Sequence, residues 1–313
     1  MRAASVVTAA GGEEDRAPAS PGAPPQTEQG IDLNEVFLLV REREGIDLRA
    51  YRRGTVVRRI ESRLRKLRCQ DHQEYVRRLA EDPEEARRLV EHVTIKVSRF
   101  FRNADVFARL HTEVLPDLAR QAGGDGPRIW SAGCGHGQEA YSLAILVEEM
   151  ARHGRPLPEA AIYGTDVDAE ALAVARRGLY PEAALAETPP EFVATYFEPR
   201  PERFGLHYEV LPTLRERVEF LHQDLLSGTD APELAPFHLI LCRNVLIYFE
   251  RSAQERVFDL LAASLAPGGY LCLGEAEQVL RAHQRCFETV DRRAGLYRRV
   301  GSALESEGKH AAA

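Results

Sequence analysis

The chain has 313 residues, 44% of them hydrophobic and 28% charged, with a formal net charge of −7. That length suits about two domains with buried cores, and the acidic total argues against nucleic acid as a partner. No apolar run approaches the roughly 20 residues that span a bilayer, and Met1 to Ala10 lacks the apolar stretch of a signal peptide, so a cytoplasmic location without membrane insertion is expected. Five cysteines and ten histidines are scattered, with no C-x-x-C pair and no His at ligand spacing. Reduced thiols and no metal are the expectation.

Residues 1–28 are rich in Ala, Gly, Pro and Glu, with Pro18, Pro21, Pro24 and Pro25 clustered. They read as disordered, as does the tail 302–313. Residues 29–100 read as a small helical domain and 101–126 as a linker helix. Asp32 with Glu35, and Asp71 with Glu74, stand at capping-box spacing, while Asp82-Pro83-Glu84-Glu85 offers a cap, a first-turn proline and acids at the positive end of a helix dipole. From Tyr51 to Arg68, Val57, Ile60, Leu64 and Leu67 fall on one helical stripe, with Arg52, Arg59, Arg63 and Lys66 beside or opposite it. This basic helix on an acidic protein is either a solvated face or a docking face for an acidic partner. Arg59, Arg63 and Lys66 are the candidate docking residues.

Over 127–301 short apolar strands alternate with helices. Strands are predicted at Arg128–Ala132, Ala161–Thr165, Val218–His222, Phe237–Cys242 and Gly269–Leu273, and helices at Glu139–Arg152, Ala169–Arg177 and from about Ser252 to Leu265. Parallel strands covered by helices follow from this pattern, an α/β, Rossmann-like arrangement. Phe287–Val290 and Gly295–Arg298 read as a hairpin joining the sheet antiparallel, as in seven-stranded methyltransferases dependent on S-adenosylmethionine (AdoMet). Residues 179–217 break the alternation with six prolines and short β-like pieces, and read as an inserted β-subdomain.

The chemistry concentrates at strand ends, where open α/β sheets bind ligands. Gly133, Gly135 and Gly137 form a G-x-G-x-G turn from strand into helix, where glycine lets backbone approach a ligand. This is not the G-x-G-x-x-G of a dinucleotide clamp. Asp166, closing Tyr163-Gly-Thr-Asp166, is placed to accept hydrogen bonds from a ribose diol, whereas Asp168 suits a helix N-cap. Glu139, in the next helix's first turn, is placed either to pair with the ammonium of AdoMet or to complement the dipole. Arg243-Asn244 closes a strand where amino-directed methyltransferases on this fold carry Asp/Asn-Pro-Pro-aromatic, which weakens an N-methylation reading.

Together these segments resemble the CheR family of chemotaxis methyltransferases, which esterify glutamates on receptor signalling helices. The motifs are Val93 to Asn103 (VTIKVSRFFRN), Trp130 to Ser142, Thr165-Asp-Val-Asp168, Asp224-Leu225, Cys242 to Phe249 (CRNVLIYF) and Leu265-Ala-Pro-Gly-Gly269. The resemblance implies a class I AdoMet-dependent methyltransferase with a helical N-terminal domain and an antiparallel insertion. It implies cofactor contacts from Lys96, Ser98, Arg102, Gly133, Glu139, Asp166, Asp224, Leu225, Arg243 and Asn244, with Arg102 and Tyr248 nearest the transferred methyl. The implied partners are helices of a methyl-accepting receptor, the product is S-adenosylhomocysteine (AdoHcy), and a monomer is expected. Three positions depart from the family pattern: Lys96 in place of Asn, Ala140 in place of Pro, and Glu275 in place of His. Lys96 is expected to weaken binding of a cationic ligand. A non-catalytic AdoMet-sensing module, or a methyltransferase for RNA or a small molecule, stays open as an alternative.

Overall fold

The computed structural model describes residues 33–94, 96, 98–121, 126–155, 157, 160–203, 205–227 and 236–300. The disorder expected for 1–28 and 302–313, and the cap expected at Asp32, lie outside these residues. Four helices come first: α1 (Leu33–Glu44), α2 (Arg53–Leu67), α3 (His72–Glu81) and α4 (Pro83–Val93). Their ends follow local chemistry. Asp71 accepts the Glu74 N–H at 2.8 Å, Asp82 accepts the Glu84 N–H at 3.0 Å ahead of Pro83, and Arg68 closes α2 in the left-handed region. A helical connection follows, α5 (Ala104–Arg109), a π turn over Leu110–Val114, and α6 (Leu115–Gln121).

The second half is one seven-stranded sheet. β1 (Arg128–Ala132) leads through α7 (Gln138–Arg152) to β2 (Ala161–Asp166), followed by α8 (Ala169–Arg177). β3 (Leu179–Pro181), α9 (Pro190–Tyr196), β4 (Phe197–Glu202) and β5 (Gly205–Val210) then interrupt the alternation, with the strands in a separate antiparallel sheet of order β3-β5-β4. After α10 (Pro212–Arg215) the main sheet resumes with β6 (Val218–His222), β7 (Phe237–Cys242), α11 (Arg251–Ser264), β8 (Leu265–Leu273), β9 (Phe287–Asp291) and β10 (Leu296–Arg299). Its order is β6-β2-β1-β7-β8-β10-β9, with the β9/β10 hairpin antiparallel as its sequence suggests.

One strand differs from its expected bounds by more than a residue. β8 starts at Leu265 rather than Gly269, because Leu265 already pairs with Phe237 before a register shift carries the chain past Gly268 at φ +75°. Such an irregularity admits a Pro-Gly-Gly run into a ladder.

The sheet has a separate apolar core on each face. On one face Trp130, Phe237, Leu246 and Phe258 continue into the helical core of Val36, Val56, Ile60 and Leu89. On the other, Leu143, Leu146 and Tyr141 of α7 pack with Phe107, Leu115 and the inserted residues Tyr180 and Phe197. The helical domain is also tied by backbone: the Tyr51↔Phe249 bridge is flanked by Arg52 N–H to Tyr248 O and Glu250 N–H to Ala50 O, both 2.8 Å.

One expectation about α2 is corrected. Arg63 is 6% exposed, and its guanidinium forks onto Glu85 of α4, with Nε to Oε1 at 2.9 Å and a second contact from Nη2 to Oε2. The Tyr75 hydroxyl of α3 also donates to Glu85, at 3.1 Å. Arg63 therefore joins three helices internally and takes no part in a docking face. Its helical spacing from Lys66 made it look exposed, and Glu85, assigned to dipole complementation, is its buried partner. Lys66 is exposed and Arg59 half-buried.

Candidate functional site

Strand order reverses between β1 and β7, with β2 and β6 to one side and β8 to the other. The chain leaving β1 and the chain leaving β7 diverge there and open a crevice above the sheet. It measures about 1010 Å³ with its open mouth, within the usual range for small-ligand sites. Lys96, Ser98, Arg102, Gly133, Glu139, Asp166, Asp224, Leu225, Arg243, Asn244 and Tyr248 all line it. Ten of those residues were candidate cofactor contacts, so the crevice gathers that whole set together with Tyr248.

The β1 turn forms the floor. Gly133 has φ +71°, and a β-carbon there would lie 2.6 Å from Val245 Cγ2, so the β1 and β7 loops touch through its missing side chain. Gly135, at φ +56°, has only Lys96 Cβ nearby, at 3.9 Å, and leaves open space above it. Its N–H donates to Asp166 Oδ2 at 2.8 Å, and Asp168 N–H donates to Oδ1 at 3.0 Å. The Val167 N–H also acts on this carboxylate, which leaves at least one lone pair for a ligand, and burial pushes the carboxyl above its ordinary range. Asp168 caps α8 as its spacing suggests, accepting from the Glu170 and Ala171 N–H groups. Lys96 forms an ion pair with Asp168. Burial lowers the Lys96 pKa, with Asp166 opposing.

Glu139 lies behind the turn. It accepts from Ser131 Oγ at 2.8 Å and pairs with Arg243 Nη1 at 3.2 Å. Burial raises its pKa, against the opposing influence of Arg243 and Ser131. Arg243 is 7% exposed, lies 5.6 Å over the Phe107 ring, and donates from Nη2 to Arg102 O and Asn103 Oδ1. Asp224, whose pKa is also raised by burial, holds its turn by accepting from Leu226 N–H.

Tyr248 reaches the crevice from the loop after β7, which Glu277 braces. One Glu277 oxygen accepts from Asn244 N–H and Gly274 N–H, both at 2.8 Å, and the other from Ile247 N–H at 3.2 Å. Burial raises the Tyr248 pKa while Arg102 and Arg59 act against the rise. On the outer side, Arg52, Thr55, Arg58 and Arg59 of the helical domain form a smaller crevice with Ile247 and Tyr248.

Arg102 stands between two left-handed residues, Phe101 at φ +54° and Asn103 at φ +65°, and Asn244 is left-handed across the crevice at φ +59°. For a bulky side chain such as Phe this conformation costs about 1–2 kcal/mol. Strain of this kind persists where surrounding contacts over-determine it, and it gathers at functional sites.

Sequence reading missed Tyr51, Phe107 and Gln223 as lining residues, and gave Thr94 and Val245 no role although both lie inside recognised motifs. Tyr51 and Phe107 carry no local signal, because they arrive from the helical domain and the linker helix. Val167 lay inside a recognised motif but was not singled out, whereas Gly135 was read as part of the glycine turn.

A nucleoside bearing a sulfonium and an amino acid tail needs ribose acceptors, close backbone and acidic groups. Asp166 with a free lone pair, the uncovered Gly135 and the paired Glu139 meet these needs, and Arg243 Nε is buried without a protein partner beside them. The residues fit the group. Among the described residues no group of three or more His, Cys, Asp or Glu is placed to hold a metal ion, and no helix is long and apolar enough to cross a membrane.

Strand order, the β1 turn and the acid closing β2 define a class I AdoMet-dependent methyltransferase fold. Residues 96–296 match the CheR methyltransferase, SAM binding domain, and residues 31–94 its all-alpha domain. The chain belongs to the CheR methyltransferase family, and AdoMet is its cofactor. A chemotaxis protein methyltransferase of Listeria monocytogenes is 34% identical over 255 residues, 80% of this chain and 92% of that one. An uncharacterized 104.1 kDa protein of Rhodobacter capsulatus is 35% identical over 265 residues, 79% of this chain, which spans only 27% of that protein. Among solved structures, PKMT2 from Rickettsia typhi in complex with AdoHcy is 13% identical with a TM-score of 0.33, over 57% of this chain and 26% of that one.

Proposed function

We propose that this protein transfers the methyl group of AdoMet to glutamate side-chain carboxylates of a methyl-accepting chemoreceptor, giving methyl esters and AdoHcy. A cytoplasmic monomer acting on receptor helices is part of the same reading, as are a helical domain over 29–100, a linker over 101–126 and a catalytic domain over 127–301. The observation that carries it is that Arg102 and Tyr248 line one crevice with the acids Glu139, Asp166 and Asp224, while Tyr248 also borders the outer crevice lined by Arg58 and Arg59 of α2. Cationic and acidic groups within one crevice suit a carboxylate acceptor and a sulfonium donor.

When bound, AdoMet supplies an electrophilic methyl on a positively charged sulfur. Asp166 accepts the ribose hydroxyls, the Asp224–Leu225 turn borders the base, and Glu139, already matched by Arg243, faces the amino acid tail. A glutamate carboxylate is ionised at neutral pH, so no general base is needed. Arg102 holds and orients the acceptor oxygen, and Tyr248 shapes its approach through a hydroxyl kept protonated by burial. Positioning of this kind can contribute roughly 7–11 kcal/mol of barrier reduction. Arg59 and Lys66, with Arg52 and Arg58, attract the acidic receptor surface.

The test is transfer of labelled methyl from AdoMet to membranes carrying chemoreceptors, followed by mild alkali. Release of the label as methanol is expected of a glutamate ester. A label that survives alkali would assign the acceptor to nitrogen or a ribose hydroxyl instead.

A further inference from the structure

The segment that carries Arg102 is held by the inserted subdomain as well as by the catalytic domain proper. Glu187, between β3 and α9, accepts the Asn103 N–H at Oε2 over 2.9 Å and the Arg99 guanidinium at Oε1 over 3.3 Å. Three residues earlier, Ala184 O accepts the Phe100 N–H at 3.0 Å. The Phe100 ring is fully buried, edge-on to Tyr180 at 4.9 Å and to Phe197 at 5.0 Å, on β3 and β4. Phe101 lies 5.4 Å from Phe192 of α9. From the catalytic domain proper the segment receives Ser142 Oγ at Phe101 N–H and Arg243 at Arg102 O and Asn103 Oδ1.

Two left-handed residues flank Arg102, so its direction depends on whatever fixes the backbone on each side. The Asn103 amide is the fixed point on the C-terminal side. Its acceptor is a carboxylate, which makes the hydrogen bond charge-assisted and stronger than an amide–carbonyl bond. The same Asn103 bridges an acid and a guanidinium through its side chain, with Nδ2 donating to Glu275 at 2.8 Å while Oδ1 accepts from Arg243. Peptide and side chain are thereby oriented together.

We propose that Glu187 is a positioning residue for methyl transfer: by clamping the Asn103 amide it holds the left-handed Arg102 segment, and so makes the inserted subdomain part of the catalytic geometry. This rests on the reading of Arg102 given above. Glu187 touches neither reactant. Its loss should lower turnover and leave AdoMet binding intact, because Asp166, Glu139 and Asp224 are held by other elements.

The experiment compares Glu187→Ala, Glu187→Gln and Arg102→Ala in the full chain. It measures AdoMet affinity by calorimetry, methyl transfer to chemoreceptor-bearing membranes, the melting temperature, and hydrogen exchange at Asn103. A displacement of about 1 Å in a positioned group can cost on the order of 100-fold in rate. Glu187→Ala is expected to lower kcat by about 10- to 100-fold, to keep AdoMet affinity within about threefold, and to speed exchange at Asn103. Glu187→Gln retains an oxygen acceptor for that amide and should restore most of the turnover, a rescue that simple loss of packing would not show. Unchanged kcat in Glu187→Ala overturns the proposal if Arg102→Ala is inactive. Equal losses in the Ala and Gln variants with matching falls in melting temperature also overturn it, by reducing Glu187 to a structural role. Full turnover in Arg102→Ala instead removes the reading on which the clamp depends.

Discussion

In the proposed function Arg102 serves the acceptor and Asp166 the cofactor. Arg102→Ala is expected to abolish turnover while changing AdoMet affinity only moderately, since the acids that line the cofactor side remain; comparison of kcat with the calorimetric Kd checks this. The acids also set a pH dependence. Burial raises the pKa of Asp166, Glu139 and Asp224, so each takes up a proton at a higher pH than a free carboxyl. Protonation removes the charge that favours a cationic ligand. AdoMet affinity should therefore fall as pH is lowered through these raised values, beginning above the ordinary carboxylate range. Titration at a series of pH values should show the fall in the parent protein and a weaker, flatter profile in Asp166→Asn. Affinity that is level down to the free-carboxyl range would contradict the role of Asp166.

At the scale of elements, the positions legible in the sequence were those whose chemistry is local. The glycine turn, Asp166 and Asp168 were readable because strand, turn and helix follow one another within a few residues, and Arg243 and Asn244 because they end an apolar strand. Arg63 was misread because its partner is 22 residues away on another helix. The pair is buried on both sides, with side chains 7% and 1% exposed, so removing one member strands a charge. Arg63→Ala is expected to destabilise the helical domain by about 3–5 kcal/mol, read as a lower denaturation midpoint. Arg59→Glu should instead leave stability nearly unchanged and raise KM for the receptor. Glu277 gives a third case. Its role was hidden because it lies about 30 residues beyond the loop it braces, and Glu277→Ala leaves the Asn244, Ile247 and Gly274 amides without that acceptor. Each buried orphan costs about 1–3 kcal/mol. The variant should melt earlier and lose turnover together, since Asn244 and Tyr248 share that loop.

The whole molecule joins two kinds of surface at one crevice. The sheet supplies the cofactor side through loops at its topological switch, and the helical domain supplies Tyr51 and the arginines around Tyr248. The alternation of strands and helices made the sheet readable, including its final hairpin, but nothing in a periodicity tells which helical residue will close a crevice formed more than 100 residues later. The Tyr51–Phe249 bridge and the shared apolar core fix that junction. With a net charge of −7, the proposed binding of an acidic receptor would rest on the local arginines rather than on the total. Its KM should rise with salt, because exposed charges beyond about 10 Å are screened at 0.1 M. The most direct measurement is mass spectrometry of a chemoreceptor incubated with AdoMet and this protein. Methyl groups mapped to glutamate side chains, and absent when Arg102→Ala replaces the parent protein, are the predicted result. Methylation mapped to lysine or another nitrogen, or to glutamate at equal yield with Arg102→Ala, would contradict the account.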